Sequence, residues 1–598
     1  MDATRLVSHV AKDSGLSDAQ VRLLVERTDG VPFFLEELTR MMMHHAQQGT
    51  PELSDSLREM LDARLDQLGA GKQLLQCAAV LGRTFHLSTL GQLYPQSEER
   101  MAQLVVELLN ENVLVQERTR GSLSFRHVLL QEAAYASLSA KARAELHGQA
   151  AHVLRQPGAL GNPTKPEVIA DHLVRADRAV EGLPYLIEAG DQATFAATYH
   201  EGEAFYRRGL QLLRGLPRDQ ATEIKLESGI GRIAALARGF GDVEVGRAYG
   251  RVALLAEQSG NRGAQLAAMN RLVFHHTTIA QHEAALAAAT SADEVAIASG
   301  DLHSTTQSKV ATILPLWHLG QPVAARQAAA EAMELLKQTD DEALRSSIQF
   351  WTTNYASQPL WSLGAFQQVR DNLDTAEQYA RRALDPYRLA QSLSYGSTAY
   401  IYLGTDVDRF TANLREARKV SIDHGFDVVR IWSELYLGWM AHGEGNTEEA
   451  ARTIRNAIEE TLSYRSRFAM PFAHTLLARC LIGLDQIDGA ARAVEDGLSY
   501  QAAHQELSHH AELLRVRAIV QARRGQLDGA RADLNEGLSV ATQQRAKGWE
   551  LRTLTTLGAL DVLADDQRPR LQALLADFAS TPELPDVADA RAQFERRA

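Results

Sequence analysis

Residues 445–460 read GNTEEAARTIRNAIEE, residues 485–499 read DQIDGAARAVEDGLS and residues 525–539 read GQLDGARADLNEGLS. The three stretches align without a gap at a spacing of 40 residues, and a fourth on the same template, GQPVAARQAAAEAMEL, starts at Gly320. Each begins on a turn residue: Gly320, Gly445, Asp485 or Gly525. Five residues later stand Ala325, Ala450, Ala490 and Ala530, and seven beyond those stand Ala332, Ala457, Gly497 and Gly537. Ala285, in QHEAALAAA, lies 40 residues before Ala325. Small side chains recurring on one helix face let a second helix approach closely, and a fixed period of this length is the signature of stacked helix pairs. The expected fold is therefore all-α, with a superhelix of helix pairs over residues 221–560. The span 330–405 breaks the period, and Gln358-Pro359 reads as an interruption or a bend.

Composition agrees. Sixteen prolines in 598 residues is about half the usual share, and Ala, Leu, Glu, Gln and Arg are abundant. Lys and Arg number 62 against 75 Asp and Glu, a net charge of −13. An acidic chain with no basic run gives nucleic acid and anionic lipid nothing to bind, so neither is expected as a partner. No apolar run approaches the ~18 residues of a membrane span. The first twenty residues have neither a basic start nor an apolar core, so no secretory signal is expected. Two cysteines, Cys77 and Cys480, make no disulfide framework, and a cytoplasmic location is expected.

Outward from the repeats, residues 141–220 read as a helical connector with the first helix pairs, and 561–598 as a helical cap or tail. Residues 71–140 differ. Two helices, KQLLQCAAVLG and SEERMAQLVVELLNENV, precede β-prone runs at 113–117 and 122–127 joined through Gly121, and a helix follows. That order outlines a small winged-helix subdomain. Its second helix carries Glu98, Glu99, Glu107 and Glu111, which argues against a DNA-reading role. Residues 1–70 read as short amphipathic helices, with Pro32 placed at a helix start.

The spacing of turn residue and small residues resembles the tetratricopeptide repeat, lengthened from about 34 to about 40 residues; Leu437-Gly438 also matches that family's leucine-glycine pair. TDGVPFFLEELTR, from Thr28, resembles the helical lid of the bacterial STAND signalling ATPases. SLSFRHVLLQEAAYASLSAKARAELH, from Ser122, resembles the end of their winged helix and its entry into the repeats. The resemblance implies a signal-sensing and protein-interaction module that takes a protein or small effector on the superhelix. Related chains join these parts to a P-loop ATPase with a nucleotide cyclase, a kinase or a LuxR-type DNA-binding domain as output. The alternative is thus the regulatory part of a larger ATP-dependent switch. Under the resemblance, Gly30 and Pro32 would touch the adenine of ADP or ATP and His127 a phosphate, provided that a nucleotide-binding subdomain is supplied in trans. No cofactor is expected on the present residues alone. Gly71-Lys72 is not a phosphate-binding loop, because Asp66 and Gln73 stand where Gly and Ser or Thr are needed. No catalytic residues are expected, and the chain is not expected to be an enzyme.

Histidines at 44–45, 275–276, 504, 509 and 510 lack a carboxylate or Cys to complete a metal set, so no metal is expected and exposed helical histidines are the simpler account. The remaining asymmetry is aromatic. Trp317, Trp351, Trp361, Trp432 and Trp439 fall within 123 residues, with Tyr355 among them. These six either fill space between helices or form an effector surface on the concave face, where flat rings with polar edges serve as anchors.

Overall fold

The computed structural model describes residues 55–94, 96–119, 121–156, 164–581 and 583–595, with Val21, Val25 and Leu35. Gly30, Pro32 and most of the expected lid lie outside the described residues. The chain divides into two compact units, Met1–Thr222 and Glu223–Ala598.

The first unit opens with α1 (Asp55–Gln67) and α2 (Ala70–Leu81), then β1 (Thr84–His86), α3 (Leu87–Leu93) and α4 (Glu98–Asn110). The β2 (Leu114–Gln116) and β3 (Ser122–Phe125) strands form a hairpin, followed by α5 (Val128–Ala136) and α6 (Ala140–Leu154). The hairpin falls inside the two β-prone runs. A strand not foreseen from sequence, β1, pairs antiparallel with β3, giving the order β1-β3-β2 with Phe85 opposite Leu123 and Leu114 opposite Phe125. Three residues of TFH give too little alternation to read as a strand alone. Ser97 and Ser139 cap α4 and α6 by accepting from the amides of Arg100 and Ala142. The core beneath is leucine-rich, with Leu74, Leu75, Leu90, Leu104 and Phe125 all buried. Lys72 pairs with Asp66 at the start of α2, on helical backbone rather than on a phosphate loop. Three helices, α7 (Pro166–Arg175), α8 (Ala179–Phe195) and α9 (Tyr199–Leu213), complete the unit.

The second unit is a run of antiparallel helix pairs. It begins with α10 (Gln220–Arg238) and α11 (Val243–Ser259), then α12 (Arg262–Thr278) and α13 (His282–Ser299), then α14 (Leu302–His318) and α15 (Pro322–Leu335). Next come α16 (Glu342–Ser362) and α17 (Phe366–Arg382), and a pair whose first member is split into α18 (Pro386–Tyr395) and α19 (Ser397–Leu403) before α20 (Val407–His424). The most regular pairs follow: α21 (Asp427–Gly443) with α22 (Thr447–Ser463), α23 (Met470–Gly483) with α24 (Ile487–His504), and α25 (His510–Arg523) with α26 (Leu527–Gln543). The run closes with α27 (Lys547–Ala559), α28 (Arg568–Asp577) and α29 (Pro585–Glu595). Ala325, Ala450, Ala490 and Ala530 have no exposed surface. A Cβ at Gly497 would lie 2.9 Å from the Leu513 side chain, so the small residue is what lets α24 meet α25. The turns within pairs place Gly320, Gly364, Gly404, Gly445, Asp485 and Gly525 at positive φ, which is where the period acquires its punctuation.

One expectation is corrected. Gln358-Pro359 does not interrupt the chain, since α16 runs 21 residues through it. The Gln358 side chain accepts from the Trp317 indole at 3.0 Å, and packing on both sides holds the helix across the missing amide. The break comes instead at Gly396, between α18 and α19, where a Cβ would sit 2.9 Å from Leu373 and 3.0 Å from the Ser392 carbonyl.

Two predictions follow from this packing. Ala530→Glu puts a charge into a contact with no free volume, and is expected to cost several kcal/mol through overpacking and desolvation, of order 3 or more. Denaturant unfolding of the full chain measures it, while Ala→Glu at an exposed helical position such as Ala502 should stay within about 0.5 kcal/mol. In the first unit, His147 and His172 are buried with their Nδ1 atoms 2.8 Å apart. Burial first, and for His147 the neighbouring imidazole next, hold both well below the ordinary value near 6.5. Below about pH 6.5 the unfolded chain therefore binds protons that the folded unit refuses, and stability falls with pH. Hydrogen exchange over 140–175 should accelerate as pH drops from 7 towards 5, beyond the intrinsic rate change, and less so in His172→Gln.

Candidate functional site

Turns far apart in the sequence of the second unit meet. The Arg467 amide donates to the Thr278 carbonyl at 2.8 Å, and the Leu507 amide to the His318 carbonyl at 2.7 Å. Both pairs are 189 residues apart (278 to 467, 318 to 507), so the same offset joins successive repeats across the superhelix. A Cβ at Gly241 would lie 2.8 Å from the Tyr464 carbonyl oxygen, and one at Gly320 would lie 2.9 Å from Leu507. The inner face is filled where these turns close. Trp361 packs edge-to-face on Trp549 at 4.6 Å and against Tyr402 at 4.5 Å, with the Arg552 guanidinium over Trp361 at 4.8 Å. Tyr402 hydrogen-bonds His509, whose Nδ1 lies 2.9 Å from the Ser508 hydroxyl.

This placement bears differently on the six aromatic residues. Trp317 and Trp361 are each 1% exposed, Tyr355 and Trp432 are buried, and only Trp351 and Trp439 are partly exposed. Trp439 is covered on one face by the Arg479 guanidinium at 4.5 Å. Trp317 and Trp361 therefore present no ring face to a ligand; they are the interior on which the superhelix closes. His127 directly precedes α5 after β3 and is half-buried, with extended backbone.

The open surface lies at the rim. A cleft of about 820 Å³ is lined by Gly241, Val243, His275, the 279–284 turn, Arg465, Arg467 and the 503–505 turn. Arg465 and Arg467 are exposed, and among the described residues neither forms an ion pair, while Glu283 is the cleft's single acidic side chain. Arg465 and Gln505 occupy left-handed turn positions (φ 56° and 52°) equivalent to Gly425, at a cost of roughly 1 kcal/mol each, and so place long side chains at the rim where glycine would place none. The two arginines make the rim cationic, while burial first and Arg467 next hold His504 below the ordinary imidazole value, towards its neutral form.

Beneath the rim, His282 and His318 stack at 4.6 Å with rings 13° apart, and both meet Glu506. His282 Nε2 is 3.5 Å from Glu506 Oε2, and His318 Nδ1 is 3.3 Å from Glu506 Oε1. All three side chains are at most 1% exposed. The flanking imidazoles hold the Glu506 carboxyl far below the usual carboxylate range against the opposing effect of burial. His282 Nδ1 and His318 Nε2 have no hydrogen-bond partner, and the nitrogens that face Glu506 meet it only at these long distances. Unsatisfied buried polar atoms cost about 1–3 kcal/mol each, so the grouping is expensive as it stands. Its ligand atoms all lie within 4.8 Å of one another, the one such grouping of three among the described residues. The sequence reading missed it, because Glu506 comes from a turn far from both histidines. It also placed the histidines at the surface, yet His275 and His509 are buried: His275 Nδ1 meets the Phe240 carbonyl at 2.7 Å, and His509 packs among aromatic rings.

No family model matches the chain. The uncharacterized protein R02095 of Rhizobium meliloti (strain 1021) is 28% identical over 223 residues, 35% of this chain. The chain spans about a fifth of that relative's length, 21%. Among solved structures, a Rap protein complexed with competence and sporulation factor is similar at 12% identity and a TM-score of 0.45, over 61% of this chain and 98% of its own. A STAND protein with a tetratricopeptide repeat sensor from Pyrococcus horikoshii is similar at 12% identity and 0.34, over 92% of this chain and 75% of its own.

Burial makes a fluorescence prediction. Acrylamide should quench only the component from Trp351 and Trp439. The Trp351→Phe, Trp439→Phe double variant should lose most of that component, whereas Trp361→Phe should leave it intact. Strong quenching that survives in the double variant would mean that the inner face is open in solution.

Proposed function

We propose that this chain is a non-catalytic sensing and interaction module, of the STAND type in its plan, whose repeat superhelix binds an anionic effector or an acidic segment of a partner protein at the rim cleft. The observation that carries this is the pair of exposed arginines, Arg465 and Arg467, on closely joined turns with His504 beside them and no carboxylate paired to either among the described residues. Cations fixed on rigid turns, already desolvated on one side, attract carboxylate or phosphate more strongly than mobile surface lysines do. An effector seated there would touch turns 189 residues apart, and would bias how tightly the superhelix closes.

A second reading, the regulatory part of a larger nucleotide-dependent switch, draws on the first unit. Helix, strand, two helices and a hairpin, with sheet order β1-β3-β2, is the plan of a winged helix. Residues 1–70 would then be the lid, 71–140 the winged helix, 141–220 a connector, 221–560 the sensor and 561–598 its cap. Gly30, Pro32 and His127 would reach ADP or ATP only with a P-loop subdomain supplied from another segment or chain. The exposed face of α4 carries Glu98, Glu99 and Glu107 with Arg100, which repels phosphate and supports a protein-facing role over DNA.

The cleft reading is tested by a thermal-shift screen of carboxylated and phosphorylated metabolites and acidic peptides on the full chain. Ligands that raise Tm are expected to lose at least about tenfold in affinity, ~1.4 kcal/mol, in the Arg465→Glu, Arg467→Glu double variant. Its unliganded Tm should barely change, because both side chains are exposed. Hits that bind the double variant as well as wild type would place the site elsewhere.

A further inference from the structure

We propose that His282, His318 and Glu506 form a site for a divalent d-block cation of the zinc type, built into the closure of the superhelix. The proposal is independent of which effector the rim takes. Its first support is geometric. Donor atoms around a tetrahedral zinc, at bond lengths of about 2.0–2.2 Å, lie roughly 3.3–3.5 Å apart. Glu506 Oε1 stands 3.3 Å from His318 Nδ1, and Oε2 stands 3.5 Å from His282 Nε2. One nitrogen of each imidazole lies within 4.8 Å of the other two donors. The rings are stacked 13° from parallel, so one ring turns about its χ2 for both in-plane lone pairs to meet a single ion, with no change of element position.

The second support is the unmet polarity. His282 Nδ1 and His318 Nε2 have no hydrogen-bond partner, and the two nitrogens that face Glu506 do so only at the long distances of 3.5 and 3.3 Å. Among the described residues Glu506 pairs with no Lys or Arg, only with the two imidazoles. A cation between the three would engage a nitrogen of each ring and the carboxylate at once. Two imidazoles and one carboxylate favour zinc-like ions over magnesium or calcium, which prefer all-oxygen shells. Three protein ligands leave a fourth position for water or an acidic group, and His282 also lines the rim cleft.

The third support is topological. His282 is the first residue of α13, His318 the last of α14, and Glu506 lies in the turn between α24 and α25, next to the Leu507 amide that donates to the His318 carbonyl. Metal ligation would thus clamp the same turn-to-turn junction that closes the superhelix, and binding would stabilise the folded chain by mass action.

The test uses the full chain, stripped with a chelator and titrated with Zn²⁺ in competition with a chromophoric chelator. One zinc per chain is expected, with a rise in Tm that Mg²⁺ does not reproduce. Glu506→Gln and His318→Ala should each weaken binding at least about tenfold, while His504→Ala should not. X-ray absorption on the zinc-loaded wild-type chain should show two imidazoles with oxygen and no sulfur, and this decides the matter should either variant fail to fold. Absence of saturable one-to-one binding would overturn the proposal and leave a dry His-Glu-His ion triad. So would binding that both variants retain, or an absorption spectrum without two imidazoles.

Discussion

The second unit depends on a close contact between turns 189 residues apart. Stacked helix pairs are held by nearest neighbours alone, and such an array bends easily because nothing fixes the distance between one superhelical turn and the next. Here the amides of Arg467 and Leu507 reach the carbonyls of Thr278 and His318, and glycines at 241 and 320 allow the backbones to come within van der Waals contact. Two backbone hydrogen bonds are worth only about 1 kcal/mol each. Their consequence is larger than their energy, because they bring inward-facing Trp317, Trp361, Tyr402, Phe472 and Trp549 within reach of one another. One hydrophobic core then runs from Val310 to Ala590 instead of stopping at each repeat. Contacts of such long sequence separation make the array cooperative in a way that an open solenoid is not.

Filling the inner face with aromatics has a second effect. The concave groove that repeat proteins commonly use for ligands is occupied along this stretch by the chain's own side chains. The open surface lies instead where the turns meet, and there the sequence changes character. Left-handed positions that hold glycine at 425 hold Arg465, Gln505 and Arg545 in the next three repeats, so the strain of a non-glycine residue at positive φ coincides with a gain of reach and charge. The interior contributes its own tension just below, in a carboxylate and two imidazoles whose polarity is met only in part. A core made only of hydrocarbon would be cheaper, so the polar grouping marks a place where packing is not the sole constraint on the sequence.

The architecture was legible from sequence because the helix pair is a local object. Gly445, Asp485 and Gly525 announce each turn, and Ala450, Ala490 and Ala530 announce each close contact, all within a window of some 16 residues. The hairpin at 114–125 was legible for the same reason, and β1 was not, since only its pairing with β3 makes three residues a strand. Gln358-Pro359 misled because proline is usually disruptive in a helix, and here Trp317 and the surrounding core override that preference. The direction of the tryptophans and the convergence of His282, His318 and Glu506 were beyond any local reading. Both are set by the 189-residue offset, which leaves no periodic mark in either partner strand of sequence.

That same offset explains why rim and interior are mechanically one site. His282 lines the cleft and also faces Glu506; Gln505 lines the cleft and is the residue before Glu506; Leu507 follows it and carries the amide that closes the turn. The rim cleft is therefore lined by the peptide segment that holds both the buried carboxylate and the closing hydrogen bond. Displacement of that segment by even an ångström would lengthen the Leu507–His318 hydrogen bond and open the contact between Gly320 and Leu507, and tightly packed interiors pass such shifts on rather than absorb them. The path from the cleft lining to the closing contact is three residues long, 505 to 507, so the open rim and the filled interior share one peptide segment.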